Sequence, residues 1–238
     1  EWYFQMFDET LANEVAQLCA LIKSIDPNVR VNCTSAHATT GAMAHFVAAG
    51  MDIFNHHAPL IEYNNAPSGY PTLRSGGREL WLYGAADAKF GGGRERDPLE
   101  FFRYMHWTAY HHGAVGVHFW NMVVNNGGAT IWGPDNQSQD YWPMVYPNGM
   151  AYPALPTGIS TSEEAIPSRR WEYVRMGIED YMLLDLAQQK IDALGGGGAA
   201  FQTQLDNLVM TVLVNRDDDR DLFRQKRKEL VELVETIP

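Results

Sequence analysis

Cysteine is scarce in this chain. Cys19 and Cys33 are the only two in 238 residues, and they form no CxxC pair and no zinc-ligand spacing. A cysteine-framed metal site is thereby excluded. Two buried thiols are expected, with a Cys19–Cys33 disulfide as the alternative. No apolar run approaches the roughly 18 to 20 residues that a membrane helix needs, so no membrane partner is expected. Basic residues number 18 against 29 acidic ones, a net charge of −11, which is the wrong sign for neutralising nucleic-acid phosphates. No GxGxxG or GxxxxGK[ST] follows any apolar segment, so a nucleotide-binding fold has no support. HExxH is absent too, and no predicted helix carries HxxxH, so neither a metal nor another cofactor is expected.

What remains is an ordinary globular composition, 45% hydrophobic and 20% charged, long enough for one large domain or a domain plus an appendage. The chain opens on "WYFQMF", which reads as a strand buried on both faces. Leu11, Val15, Leu18, Ile22 and Ile25 then recur at helical spacing and predict an amphipathic helix over 10–25, broken by Asp26-Pro27-Asn28. "VRVNCTSA" (29–36) returns as a strand, a helix near 39–49 ends at Gly50, and "MDIFNHH" (51–57) is the next strand. A polar loop over 62–77 leads to the strand "ELWLYGAA" (79–86), a helix over 98–112 and the strand "AVGVHFW" (114–120).

Five strands alternating with helices are the pattern of a parallel sheet with helical crossovers. In a (β/α)8 barrel the site lies at the carboxyl ends of the strands. Those ends carry Asp8-Glu9, Ser35 to His37, Asn55-His56-His57, Asp87 and Trp120-Asn121. A typical barrel takes about 250 residues and eight strands, and here the fifth strand ends by residue 121. The expected fold is therefore α/β, covering about strands 4 to 8 of a barrel and lacking roughly three N-terminal strands; an open sheet is the alternative. Residues 1–121 form the partial barrel. Residues 122–167, aperiodic and rich in proline and aromatics, form a rim over the site. Residues 168–238 form helices packing on the barrel, the first entered through Pro167-Ser168 and carrying Arg175 and Glu179 at pairing distance.

The strand ending in "FDE", the "LWLYGAADAKF" and "GAVGVHFWN" strands, "VYPN" and above all "PSRRWEYVRMGIEDYMLL" resemble the catalytic region of glycoside hydrolase family 123 and its uncharacterised relatives. The resemblance covers most of residues 2–186. It implies a (β/α)8 barrel preceded by a β-sandwich region, with this chain starting at the fourth strand. It also implies N-acetyl-β-galactosaminidase activity through an adjacent Asp-Glu pair after that strand. Carried over, Asp8 orients and stabilises the 2-acetamido group and Glu9 is the general acid/base. Thr10 stands where the family commonly has proline.

The chemistry suits two crowded carboxylates. Cleaving a glycoside requires a proton on the departing oxygen and stabilisation of an oxocarbenium-like centre. If the sugar's own acetamide oxygen attacks, the protein needs an anion to hold the amide rather than a carboxylate nucleophile. One ionised group also keeps its neighbour protonated. The plainer reading is that Asp8 or Thr10 caps the following helix, where negative charge is favourable.

Tyr83 is a candidate donor to the acetamide, its alternative being core packing. Trp120, Trp132 and Trp142 are candidate platforms for sugar rings, and Asn55 and His57 candidate partners of sugar hydroxyls. Asp87 is the nucleophile under a rival double-displacement scheme. A non-catalytic carbohydrate-binding or scaffold relative is the reading from another class. The expected partner is a glycan. A sheet short of three strands would expose two edges, so dependence on an N-terminal barrel segment or a partner chain is also expected.

Overall fold

The computed structural model describes residues 3–5, 12–35, 38–57, 67–84, 99–119, 145–146, 166–167, 169–215 and 221–238. Its centre is a five-stranded sheet of β1 (Tyr3–Gln5), β2 (Arg30–Ser35), β3 (Ile53–His57), β4 (Glu79–Gly84) and β5 (Gly116–Phe119), in that spatial order. Every neighbouring pair is parallel, with Cys33 beside Phe54, His56 beside Leu82, and Tyr83 beside His118. The crossovers are α1 (Ala12–Ile25), α2 (Thr40–Ala48), α3 (Tyr70–Ser75) and α4 (Glu100–His112). Sequential strand order with right-handed crossovers places successive helices on one side of a sheet.

The packing bears this out. Phe54 of β3 meets Phe46 of α2 with ring centroids 5.9 Å apart. His56, on the same face of the same strand, is hydrogen-bonded to the Tyr70 hydroxyl of α3 at 2.7 Å. Phe119 of β5 meets Phe102 of α4 at 5.4 Å. Register links these residues to Val31, Cys33, Leu80, Leu82 and Val117, which together make the apolar, helix-covered face. Burying each such side chain contributes roughly 1.5–3 kcal/mol. Cys19 of α1 and Cys33 both belong to this core as free thiols.

Local signals explain the helix ends. Thr39 caps α2, its hydroxyl accepting from the Ala42 amide at 3.3 Å. Gly50 and Gly113 take φ of 87° and 65°, the left-handed conformations that let the chain leave α2 and α4. On α1 the buried face runs through Val15 and Cys19, whereas Ile25, expected on that face, is 78% exposed. Three elements, α3 and a strand pair, escape the sequence reading. α3 forms from "YPTLRS" inside the expected loop, with Pro71 in its first turn, where a missing N–H costs nothing. Val145–Tyr146 (β6) and Ile166–Pro167 (β7) pair antiparallel within the segment expected to be aperiodic.

The remaining helices are α5 (Arg169–Ala193), α6 (Ala199–Val214) and α7 (Leu222–Thr236), with a 3-10 turn over Gly195–Gly198. α5 lies along α4, and α4 also meets α6. Between the sheet and these helices α4 is buried on nearly every side, from Phe101 to Ala109 and again at His112. At Gly177 α5 passes close to α4. A Cβ there would stand 2.3 Å from the His106 imidazole.

No described helix is long and apolar enough to cross a membrane.

Candidate functional site

Ion pairs tie the amino ends of the strands. At the amino ends of the strands, Asp52 accepts from Lys23 at 2.7 Å and from the Val31 amide at 2.8 Å, and Arg30 pairs with Glu79 at 2.7 Å. These contacts tie α1, β2, β3 and β4 together at the end where a barrel's structural residues lie.

The face opposite the helices carries a row of polar side chains beside Ile53 and Trp81. Alternation along the strands puts Asn32 and Thr34 of β2, Asn55 of β3, Tyr83 of β4 and His118 of β5 on it. Asn32, Thr34 and Asn55 are fully buried, Tyr83 is 4% exposed and His118 is half-buried. Asn55 Nδ2 lies 2.8 Å from His118 Nδ1. The Tyr83 ring sits 5.5 Å from the His118 ring, tilted by 51°. Both amide atoms of Asn32 and the Oδ1 of Asn55 are buried with no hydrogen-bond partner among the described residues.

Of the residues expected to form the site, the structure thus brings Asn55 and Tyr83 to one face around His118. His57 stands beside Tyr83 in the strand register. Asp8, Glu9, Asp87, Trp120, Trp132 and Trp142 lie outside the described residues. His118 was legible only as one histidine among several. Its position in "VGVHFW", alternating with Val117 and Phe119, is the signal that sets it on the polar face.

His56 falls in the opposite phase of the strand alternation, and His112 lies in α4. His56 turns to the helices and joins Tyr70, whose hydroxyl is held protonated well above the usual tyrosine range by burial. His112 packs edge-on against Tyr70 at 5.8 Å, and burial, with His111 and His56 nearby, lowers it to about 4. Among the described residues no three metal-ligating side chains cluster.

The "RWEYVRMGIEDY" segment has a structural explanation. Asp180 is fully buried. It accepts from Arg103 Nε at 2.5 Å, Arg103 Nη2 at 3.0 Å, Trp107 Nε1 at 2.8 Å and Arg227 Nη1 at 3.2 Å. One carboxylate therefore joins α4, α5 and α7. Glu179 pairs with Arg227 at 3.0 Å and with Arg175, the partner its spacing predicts. A cavity of about 300 Å³ beside this network is lined by Arg103, Tyr173, Phe223 and Arg227, whose guanidinium groups already face Asp180.

These observations define an α/β protein with a sequentially ordered parallel sheet, helices on one face and a buried polar row on the other. No protein-family model matches the sequence, and no curated protein matches it. Among solved structures, the chain is similar to a family 123 glycoside hydrolase from Clostridium perfringens, whose structural analysis details glycolipid glycan hydrolysis. The TM-score is 0.61 at 13% identity, over 99% of this chain and 41% of that one. At that identity the likeness is one of fold, and this chain spans less than half the length of its neighbour. It falls on the family that the strand and helix motifs resemble.

Proposed function

We propose that the chain is the part of a (β/α)8-barrel glycoside hydrolase from its fourth strand onward, acting on β-linked 2-acetamido sugars with retention through substrate assistance. The observation that carries the architecture in this reading is the Asn55–His118 hydrogen bond. The two residues stand on β3 and β5, with β4 between them. By register Asn55 aligns with Trp81 and Trp81 with Gly116, so His118 stands two residues further along β5 and both side chains lean over the intervening strand to meet. That contact is consistent with a face that curves inward with the helices outside it, as the wall of a barrel curves around its axis. The fold likeness to the family 123 hydrolase supports the same architecture.

In this reading residues 1–121 are barrel wall, 122–167 a rim and 168–238 an outer helical layer. Glu9 delivers its proton to the departing glycosidic oxygen as the acetamide oxygen attacks the anomeric carbon. Asp8 holds the amide N–H while positive charge develops on the resulting oxazolinium. Glu9, now ionised, takes a proton from the water that opens that ring, which restores both groups. Tyr83 and His57 contribute hydrogen bonds from the polar face, and Trp120, Trp132 and Trp142 offer apolar surface to sugar rings. No cofactor is required by this chemistry. Among the described residues β1 and β5 are the outer strands, and in this reading an N-terminal barrel segment or a partner chain covers their edges.

The test is turnover of chromogenic N-acetyl-β-galactosaminide and N-acetyl-β-glucosaminide by the full-length protein. Glu9→Gln is expected to lower kcat by about 10²- to 10⁴-fold; unchanged turnover refutes the role of Glu9. Labelling of Asp87 by a fluorosugar moves the chemistry to double displacement. Glycan binding without cleavage makes the protein a carbohydrate-binding relative.

A further inference from the structure

We infer that Asn32 and Asn55 form a buried recess that binds hydroxyl oxygens, whether of a sugar or of water. The recess itself stands on the strand geometry; a sugar as its occupant rests on the glycosidase reading above. Asn32 of β2 is fully buried, and neither its Nδ2 nor its Oδ1 has a hydrogen-bond partner among the described residues. Asn55 of β3 is fully buried as well. Its Nδ2 lies 2.8 Å from His118, and its Oδ1 has no partner among the described residues. Buried amides are nearly always hydrogen-bonded, so polar atoms left over at one place point to a group that binds there.

The strand neighbours do not supply that group. Ile53 stands beside Asn32 in the register and is apolar. Asn55 is flanked by Thr34, which is engaged elsewhere, and by Trp81, whose Nε1 donates to Glu79 at 3.0 Å. Asn55 lies two residues beyond Ile53, which makes it the diagonal neighbour of Asn32 on the same face. Strands about 4.8 Å apart, offset by about 6.6 Å along their length, put the two backbones about 8 Å apart. Two side chains reaching toward each other across that distance are joined by one oxygen with a hydrogen bond of about 2.8 Å to each. A buried water typically makes about three such bonds.

The chemistry of the occupant follows from the amides. Gln5, Ile53, Thr34 and Trp81, the register neighbours of the two asparagines, carry no charge. An ion would therefore lose its hydration with nothing to offset the loss. A hydroxyl is neutral and both donates and accepts, so it meets an amide nitrogen or an amide oxygen equally, whichever way each amide is turned. A sugar alcohol and a water molecule share that property.

The experiment is the crystal structure of the full-length protein, without sugar and after soaking with N-acetylgalactosamine-thiazoline. The expected result without sugar is a water oxygen within about 2.7–3.2 Å of the Asn32 amide and of the free amide atom of Asn55. A sugar hydroxyl in that position after soaking assigns the recess to the substrate. Water retained there beneath bound inhibitor assigns it to water, and the recess stands. Water in place with no inhibitor bound counts against the sugar-site reading and again leaves the recess standing. Amides of Asn32 and Asn55 bonded to protein groups alone, with no such oxygen, overturn the inference. Asn32→Leu, close in size and apolar, is a second test by thermal unfolding. Loss of a bound oxygen is expected to lower the melting temperature by about 2–4 °C for each hydrogen bond removed. A rise means that the amide was buried without compensation and overturns the recess. Should this variant fail to fold, the crystal structures of the unmodified protein decide.

Discussion

Replacing Asp180 by alanine tests whether the most distinctive helix of the chain is there for structure or for catalysis. The side chain is fully buried and satisfies donors on three residues of α4 and α7, at 2.5 to 3.2 Å. Its removal leaves Arg103, 6% exposed, as a buried cation without its counter-ion, and the Trp107 indole N–H without an acceptor. Arg227, at one-third exposure, can turn to solvent and contributes less. Breaking a buried pair from one side costs about 3–5 kcal/mol. In a chain of this size each kcal/mol moves the midpoint by about 2–4 °C, so the melting temperature is expected to fall by about 6–20 °C. The assay is thermal unfolding followed by circular dichroism, paired with turnover per folded molecule, which should not change. The double variant Asp180→Leu/Arg103→Met removes both charges and should recover much of the loss. Exposed Arg175, replaced by alanine, should shift stability by less than about 1 kcal/mol. A melting temperature within 2 °C of the unmodified protein for Asp180→Ala refutes the structural account. So does a large fall in turnover with no fall in stability.

Acid should destabilise the chain through His106 and His112. Burial lowers both to about 4 in the folded state, His112 being further lowered by its neighbours, against about 6.5 when unfolded. The unfolded chain then binds more protons between those values. The stability from keeping these rings neutral is complete above pH 6.5 and is lost as pH falls toward 4, by about 1.4 kcal/mol per unit for each group. Urea midpoints that stay level from pH 7 to pH 5 would contradict this. Gly177→Ala should lower the melting temperature although alanine is the better helix former by about 1 kcal/mol, because the new methyl meets the His106 ring; a rise would show that α4 and α5 separate freely. Burial pushes Cys19 up to about 11, aided by Asp52, and Cys33 up to about 12. Neither thiol should react with iodoacetamide at pH 8 until urea unfolds the chain, and rapid native labelling would place them at the surface.

Much of the architecture is written locally. Val15, Cys19 and Ile22 sit at helical spacing and need only an apolar sheet to form α1. The alternation in "MDIFNHH" sends His56 to the helices and Asn55 to the other face whatever the neighbours are. Arg175 and Glu179 pair because a helix turn brings them together. The α3 helix was not legible, since a six-residue segment with proline and flanking glycines has no period to read, and its place is decided by Tyr70 packing on His56 and His112.

The chain's own sequence determined the strand–helix alternation, the parallel sheet and which residues of each strand share a face, because periodicity acts over a few residues and survives without knowledge of the rest. Only the tertiary structure decided that Asn55 meets His118 across an intervening strand, and that Asp180 gathers Arg103, Trp107 and Arg227. Those partners lie 63 residues apart in the first case and 47 to 77 in the second, and sheet curvature and helix packing alone bring them within reach.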